Sequence, residues 1–460
     1  MFKGVRVFAL FAVLTAGVAS AATFAVSNTN ATGAGSLVDA INQANASPGP
    51  HVINITASGT MSVTTPLVLT QSMTINGPLA TPPTFAIDGG NSSRLIQVSA
   101  SAAGPMTMNN ITLTHGRVDS SKGGAIDVPT GRTLNLTNCL VTANSTTGTS
   151  SADIFLSAGG AISTAGTLNV QTSTLSNNSA TGPGGAIYSA ATATVSIVNS
   201  QFISNQASNF SGAMYCSASV LITITNSTFF GNQSGTGGSG AVGFTDTKAV
   251  IRGCTFSGNT TLGAGGALVT SAHAGSTIGI ENSTFSGNTA DFAGAIYTQL
   301  GTTDLRNVTI TGNSARRAGG GFNNPGGDTI ILLRNTIVAG NTVTLPGGAD
   351  CSGPVVSNGY NLIGSTDQCT GLIATDLIGS SPALGLLGVN GGATLTHVPF
   401  ASSPAVEGGN PAGCLGLSGA NLTVDQRGLS RPFGPRCDIG AVELQVNAPI
   451  VPPRHRAAHH

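Results

Sequence analysis

The feature that most constrains this chain is an asparagine that returns about every 27 residues. It stands at Asn178, Asn205, Asn232, Asn259, Asn288, Asn313 and Asn341, with gaps of 27, 27, 27, 29, 25 and 28 residues. Each belongs to a longer phrase, as in "ENSTFSGNTADFAGAIYTQLG" at 281–301 or "VNSQFISNQASNFSGAMYCSAS" at 198–219. The phrase runs from a first Asn through an apolar residue and the second Asn to a small-residue cluster, while most of the rest varies. Seven to nine residues after most of the second asparagines the cluster ends in alanine, at Ala186, Ala213, Ala241, Ala267 and Ala295, with Gly321 in the last. A period in this range marks a solenoid.

Short alternating stretches such as "TVSIVNS", "LITITNS" and "IGIENS" read as strands of three to five residues with one apolar face. No helical period of 3.6 fits the repeat. A coil of about 27 residues with three short strands and three turns is the unit of a parallel β-helix, stacked at the ~4.8 Å strand spacing. The recurring residues then have physical tasks. An Asn at one corner of successive coils hydrogen-bonds to its counterparts above and below, and it tolerates the left-handed backbone that a corner often needs. Phe202, Phe229, Phe256 and Phe285, three places before it, point inward and stack. The Gly-Ala pair leaves the turning backbone unobstructed. The variable residues face solvent.

From about residue 52 to 345 this gives roughly ten or eleven coils, a rod on the order of 50 Å long. The early coils are irregular, in "HVINI", "PLVLT", "MTING" and "RLIQV". Composition agrees with one extended object. Only 7% of residues are charged, against about 25% in an ordinary globular protein. Gly numbers 64, Trp is absent and the formal net charge is zero, so the surface must be built from Ser, Thr, Asn and Gly. Without a basic stripe, nucleic acid is not an expected partner.

Residues 1–22, "MFKGVRVFALFAVLTAGVASAA", combine Lys3 and Arg6 with a short apolar run and small residues, the pattern of a secretory signal peptide cleaved after Ala21 or Ala22. No later segment reads as a membrane span. The mature chain is therefore expected outside the cytoplasm, extracellular or at the cell surface, with the periplasm as an alternative. Cys351, Cys369, Cys414 and Cys437 form an even group that fits two disulfides in such a compartment. Three connectivities are open, Cys351–Cys369 with Cys414–Cys437 being the most economical. Cys139, Cys216 and Cys254 occupy repeat positions where neighbouring coils carry Ser or similar residues, and read as small buried thiols.

Open sheet ends need covers. "GSLVDAINQANASPG" predicts a helix over 36–45 within an N-terminal cap of residues 23–50, with Ser36 and Asp39 as N-cap and N3, and an apolar stripe of Leu37, Ala40, Ile41 and Ala44. Coils then occupy 51–345, a C-terminal cap region 346–445, and a basic tail expected to be disordered 446–460.

The Gly-Gly-Ala-Ile and Phe-x-x-Asn alternation resembles the repeats of polymorphic outer-membrane proteins and other bacterial right-handed parallel β-helices of the pectin-lyase-like group. The 35–49 segment resembles the N-terminal element named for its Cys-Ser-Leu-Arg-Glu-Ala-Ile consensus, with Gly35 for the Cys and Val38 for the Arg. "NGGATLTHVPFASSPAVEGGN" followed by "DQRGLSRPFGPRCDIGAVEL" is similar to the C-terminal region of choice-of-anchor Q proteins. The resemblance implies an exported right-handed parallel β-helix. That group usually carries a C-terminal sorting signal, and none is evident after Glu443.

Catalysis by such a fold calls for paired carboxylates on one face, or a base beside an acidic calcium site. Asp127 and Asp153 are 26 apart but out of register, and Asp291 and Asp304 fall at different points of the repeat. His115, Arg117, Asp119, Lys122 and Asp127 form the local cluster of candidate catalytic type, for which a solvated loop is the preferred reading. Asp425, Arg427, Arg431, Asp438 and Glu443 gather near the second cysteine pair and read as a cross-link. The histidines are scattered, so neither a metal nor another cofactor is expected. The expected function is adhesion or binding by a polar Ser/Thr/Asn wall, with surface glycans or proteins of host or neighbouring cells as partners and a monomeric state. The alternatives are a polysaccharide lyase or glycoside hydrolase acting around 115–127, and a rigid stalk.

Overall fold

The computed structural model describes residues 21–148, 154–271 and 276–445. The expected signal peptide, but for its last two residues, and the tail 446–460 lie outside them. The chain is a parallel β-solenoid of about twelve coils among the described residues. One coil carries four strands rather than three: Thr194–Val198, Gln201–Ile203, Gln206–Ala207 and Met214–Ser217. The third is two residues long, too short to leave an alternation in the sequence. Every strand pairs in parallel with its equivalent in the next coil, as in Val195↔Ile222 on the first face and Met214↔Val242 on the last. The count slightly exceeds ten or eleven because strands without the repeat add to both ends. Thr23–Val26 pairs with Val52–Ile55, and strands continue from Cys351 to Ile378.

The core is apolar and stacked. Phe202, Phe229, Phe256 and Phe285 are in register, fully buried, with ring centroids 4.7, 4.7 and 4.8 Å apart and nearly parallel planes. Leu175 and Ile310 continue the column on either side. Burying such side chains removes apolar surface at roughly 25 cal/mol per Å².

The two asparagines of each phrase do different jobs. The first takes the left-handed backbone between the first and second strands, at Asn138 (φ 51°), Asn199 (49°), Asn226 (49°), Asn282 (45°), Asn307 (54°) and Asn335 (50°). The second never does. At its corner the left-handed residue is the one before it: Asn177, Ser204, Gly231, Gly258, Gly287, Gly312 or Gly340. The second Asn instead turns inward and is buried. Asn205 Oδ1 accepts from Asn178 N at 3.1 Å and from Asn178 Nδ2 at 2.9 Å. Asn205 Nδ2 donates onward to Asn232 Oδ1 at 3.0 Å and back to Leu175 O at 2.9 Å. The pattern repeats at Asn232, Asn259, Asn288 and Asn313, so all four hydrogen-bonding positions of each amide are used. It begins at Asn144 and ends where Asn341 N and Nδ2 both donate to Asp350 Oδ1 at 2.9 Å. An acceptor-only side chain closes a ladder whose last open groups are donors.

A hydroxyl ladder follows the first corner. Ser200 Oγ accepts from Ser173 N at 3.2 Å and Ser227 Oγ from Ser200 N at 3.1 Å. Cys139 and Cys254 occupy this column. Burial pushes the Cys139 thiol up to about 11 and the Cys254 thiol up to about 12, and raises Cys216 likewise. The glycine column Gly185, Gly212, Gly240, Gly266 and Gly294 is set by close approach: a Cβ at any of them would run into the carbonyl oxygen of the equivalent glycine in the next coil.

The helix spans Leu37–Asn45, with Ser36 Oγ accepting from Asp39 N at 3.2 Å. Leu37, Ala40, Ile41 and Ala44 are buried against strands Thr23–Val26 and Leu67–Asn76. Asn45 fixes its far end, donating to Val68 O and accepting from Thr70 N.

Beyond Ile378 the chain turns back and lies along the outside of coils already formed. Thr394 Oγ1 donates to Gly253 O, Asn282 Nδ2 to Val424 O, Arg306 Nη1 to Gly416 O and Asn335 Nδ2 to Asp438 O. Disulfides join Cys351 to Cys369 and Cys414 to Cys437, with Cα separations of 5.4 and 5.7 Å.

Candidate functional site

The cluster read from the sequence at 115–127 is dispersed by the fold. Asp119 ends the strand Arg117–Asp119 on the short third face, whereas Asp127 lies in Ile126–Val128 on the last face, in register with Ser163. His115, Arg117, Asp119 and Lys122 have separate contacts. His115 Nδ1 lies 3.1 Å from Asp88 Oδ2, and Arg117 Nη2 lies 3.1 Å from Asp119 Oδ1, which also accepts from Thr147 Oγ1. Lys122 Nζ sits 5.0 Å above the Tyr188 ring. Among the described residues no hydrogen bond or ion pair joins Asp119 to Asp127, or Lys122 to either.

Arg94 organises the loop, and nothing in the sequence singled it out. Its Nε donates to Gly123 O at 3.0 Å, and its Nη2 to Lys122 O at 2.6 Å and Ser121 Oγ at 3.1 Å. Burial lowers its pKa, opposed by the charge of Asp127. The cleft beside it, of about 430 Å³, is lined by Ser92, Ser93, Arg94, Arg117, Asp119 and Ser121 among others. Next to the loop, four aromatic rings gather outside the solenoid wall. Tyr188 stacks on Tyr215 with centroids 6.3 Å apart, and Phe155 and Phe210 pack around them. They seat the short helix Ile154–Ser157 against the last face.

The outward positions of the first face form a regular surface. One rank reads Thr74, Thr107, Asn135, Asn169, Ser196, Thr223, in register coil by coil. Two residues along each strand, a second reads Asn76, Asn109, Thr137, Gln171, Val198, Thr225. All are partly or well exposed and none is charged. Side chains bond along the axis: Asn169 Nδ2 to Asn135 Oδ1 at 2.8 Å, Asn135 Nδ2 to Thr107 Oγ1 at 3.0 Å, and Asn109 Nδ2 to Asn76 Oδ1 at 2.9 Å. The second rank then becomes Arg252, Glu281, Arg306 and Arg334. The returning C-terminal segment engages this charged stretch, with Leu417 N donating to Glu281 Oε2 at 2.7 Å. One face is thus neutral and open over the earlier coils, charged and engaged by that segment over the later ones.

Asp425, Arg427, Arg431, Asp438 and Glu443 do converge, as a buried knot. Arg431 Nε lies 3.2 Å from Glu443 Oε2, Nη1 donates to Asn282 Oδ1 at 2.9 Å, and Nη2 donates to the carbonyls of Asp438 and Gly440. Asp425 holds Arg427 and the Glu443 amide, while Asp438 accepts from the amides of Glu407 and Leu444. Burial lowers the Arg431 pKa and raises those of Asp438 and Glu443, each shift opposed by the charges of the other sign. Gln426, between them, docks the knot: its Oε1 accepts from Thr284 Oγ1 at 2.6 Å and its Nε2 donates to Cys254 O at 3.1 Å.

Comparison with known families places part of the repeat. Residues 172–190, 253–271 and 282–299 match the repeat of Chlamydia polymorphic membrane proteins. The chain therefore carries polymorphic-membrane-protein-like repeats over about an eighth of its length. The matched stretches hold the hydroxyl ladder position, the inward Leu or Phe, the ladder Asn and the Gly-Ala pair, so the likeness lies in the scaffold. No curated protein matches the chain. No described helix is long and apolar enough to cross a membrane.

Proposed function

We propose that this chain is an exported, surface-displayed or extracellular adhesin that binds through the neutral wall of its earlier coils and performs no chemistry. The observation that carries the reading is that wall, two ranks of uncharged side chains held in register and bonded to one another along the axis. Pre-ordered groups lose little conformational freedom on binding, which favours a recognition surface. The family match supports a surface-exposed, adhesin-like β-helix. The two disulfides suit an oxidising compartment, and the sequence of residues 1–22 suits export. The motifs at 35–49 and 390–443 further support kinship with the Cys-Ser-Leu-Arg-Glu-Ala-Ile and choice-of-anchor Q groups.

The second reading is a carbohydrate-active enzyme, favoured by the cleft lined by Arg94, Arg117 and Asp119. One experiment separates the two. Mature protein is applied to cells and to arrays of glycans and proteins, beside lyase and reducing-sugar assays on the same glycans. Saturable binding without product release supports the adhesin; turnover that Asp119→Asn abolishes supports the enzyme.

A further inference from the structure

The proposed adhesin function leaves the ligand's chemistry open, and the wall narrows it. The second-rank positions bear no charge until Arg252, so an anionic polymer meets no cation there. Protein interfaces draw their energy from buried Trp, Tyr and Arg anchors. None of these stands in either rank from residue 74 to 225. The wall offers hydroxyls and amides instead, each able to donate and accept. Their repeat along the axis is one coil, ~4.8 Å, about the advance of one sugar in an extended polysaccharide. At the later end the polar array meets exposed carbon at Leu221, two residues before Thr223 on the same strand. A sugar ring presents both the hydroxyl edge and the C–H face that such a boundary suits.

We infer that the wall takes an uncharged, extended polysaccharide lying along the solenoid axis, roughly one sugar per coil, with its hydroxyls on the Thr107, Asn135 and Asn169 rank and a ring against Leu221. The inference rests on the adhesin reading and adds the ligand class to it. Being uncharged, the contact is insensitive to salt, because no counterions are released.

The test is co-sedimentation of the mature protein with insoluble neutral polysaccharides (cellulose, a β-1,3-glucan, a mannan), and affinity electrophoresis in soluble polygalacturonate and heparin, each at low and high salt. The triple variant Thr107→Lys, Asn135→Lys, Asn169→Lys projects long charged stems from the wall, and Leu221→Ala removes its exposed apolar side chain. Retention on a neutral polymer, unchanged by salt, weakened about tenfold or more in the triple variant and measurably in Leu221→Ala, is the expected result. Circular dichroism and melting of both variants establish that the loss is not unfolding. Salt-sensitive retention on the anionic polymers alone overturns the inference and moves attention to Arg94 and Arg117. If wild type binds cells, the triple variant does not, and no neutral polymer is retained, the ligand class falls while the adhesin reading stands. If the triple variant binds cells as wild type does, both fall.

Discussion

At the residue scale, identical amino acids in one repeat answer to different physics. The first Asn is chosen for backbone: Gly253 holds the same left-handed corner in one coil, so Asn226→Gly should barely change stability. The second is chosen for its amide. Asn259→Ala strips partners from Asn232 N, Asn232 Nδ2 and Phe229 O, all buried, and should cost ~1–3 kcal/mol. Phe256→Ala, in the middle of the ring column, should cost ~3–5 kcal/mol. Thermal melts followed by two probes check all three, since a solenoid need not melt in one step. Equal effects of Asn226→Gly and Asn259→Ala would contradict the division of labour. The ladder positions and the Phe column were legible in the sequence because both repeat at the coil period. The corner assignment was not, because Asn suits a left-handed backbone and a buried amide equally well.

At the element scale, the strands were legible where the repeat holds and lost where it fails. The two-residue third strands carry no alternation, and the end coils at 23–26 and 351–378 lack the landmark Asn. The front helix could be read from its cap and stripe. Leu37→Asp with Ile41→Asp should uncover the first coils and turn monomer into oligomer or aggregate. Light scattering with hydrogen exchange checks this; a monomer with normal protection in the first coils would make the helix dispensable. The docked segment at 380–444 could not be foreseen, since its contacts join residues more than a hundred positions apart. There the hairpin around His397 is a pH-sensitive contact. His397 Nδ1 meets Gly385 O at 2.7 Å and Nε2 meets Ser286 Oγ at 2.9 Å, which fits a neutral ring donating to the carbonyl and accepting from the hydroxyl. Burial lowers its pKa, so the undocked chain binds the proton more tightly. The stability it contributes is present above the unfolded value of ~6.5 and is lost as pH falls below it. Limited proteolysis at 384–400, or hydrogen exchange taken relative to the intrinsic amide rate at each pH, should rise as pH falls from about 7 to about 5, and His397→Gln should remove the dependence.

At the scale of the whole molecule, the chain divides one solenoid into two uses. Over the later coils, charged ranks and the buried Arg431–Glu443 knot hold a C-terminal segment against the wall. Over the earlier coils the same face is neutral and open. The central claim is that this open stretch is where the protein meets its partner, while the 115–127 loop is a bystander. Hydroxyl-radical footprinting of mature protein, free and bound to the surface it adheres to, tests this most directly. Val198 and Leu221 are the oxidisable reporters on the open face, and Phe230, on the second face, and Leu386 are exposed controls elsewhere. The account predicts protection of Leu221 and Val198, and unchanged oxidation of the controls and of Val118 in the cleft. Protection of Val118 with Leu221 and Val198 unchanged would contradict it.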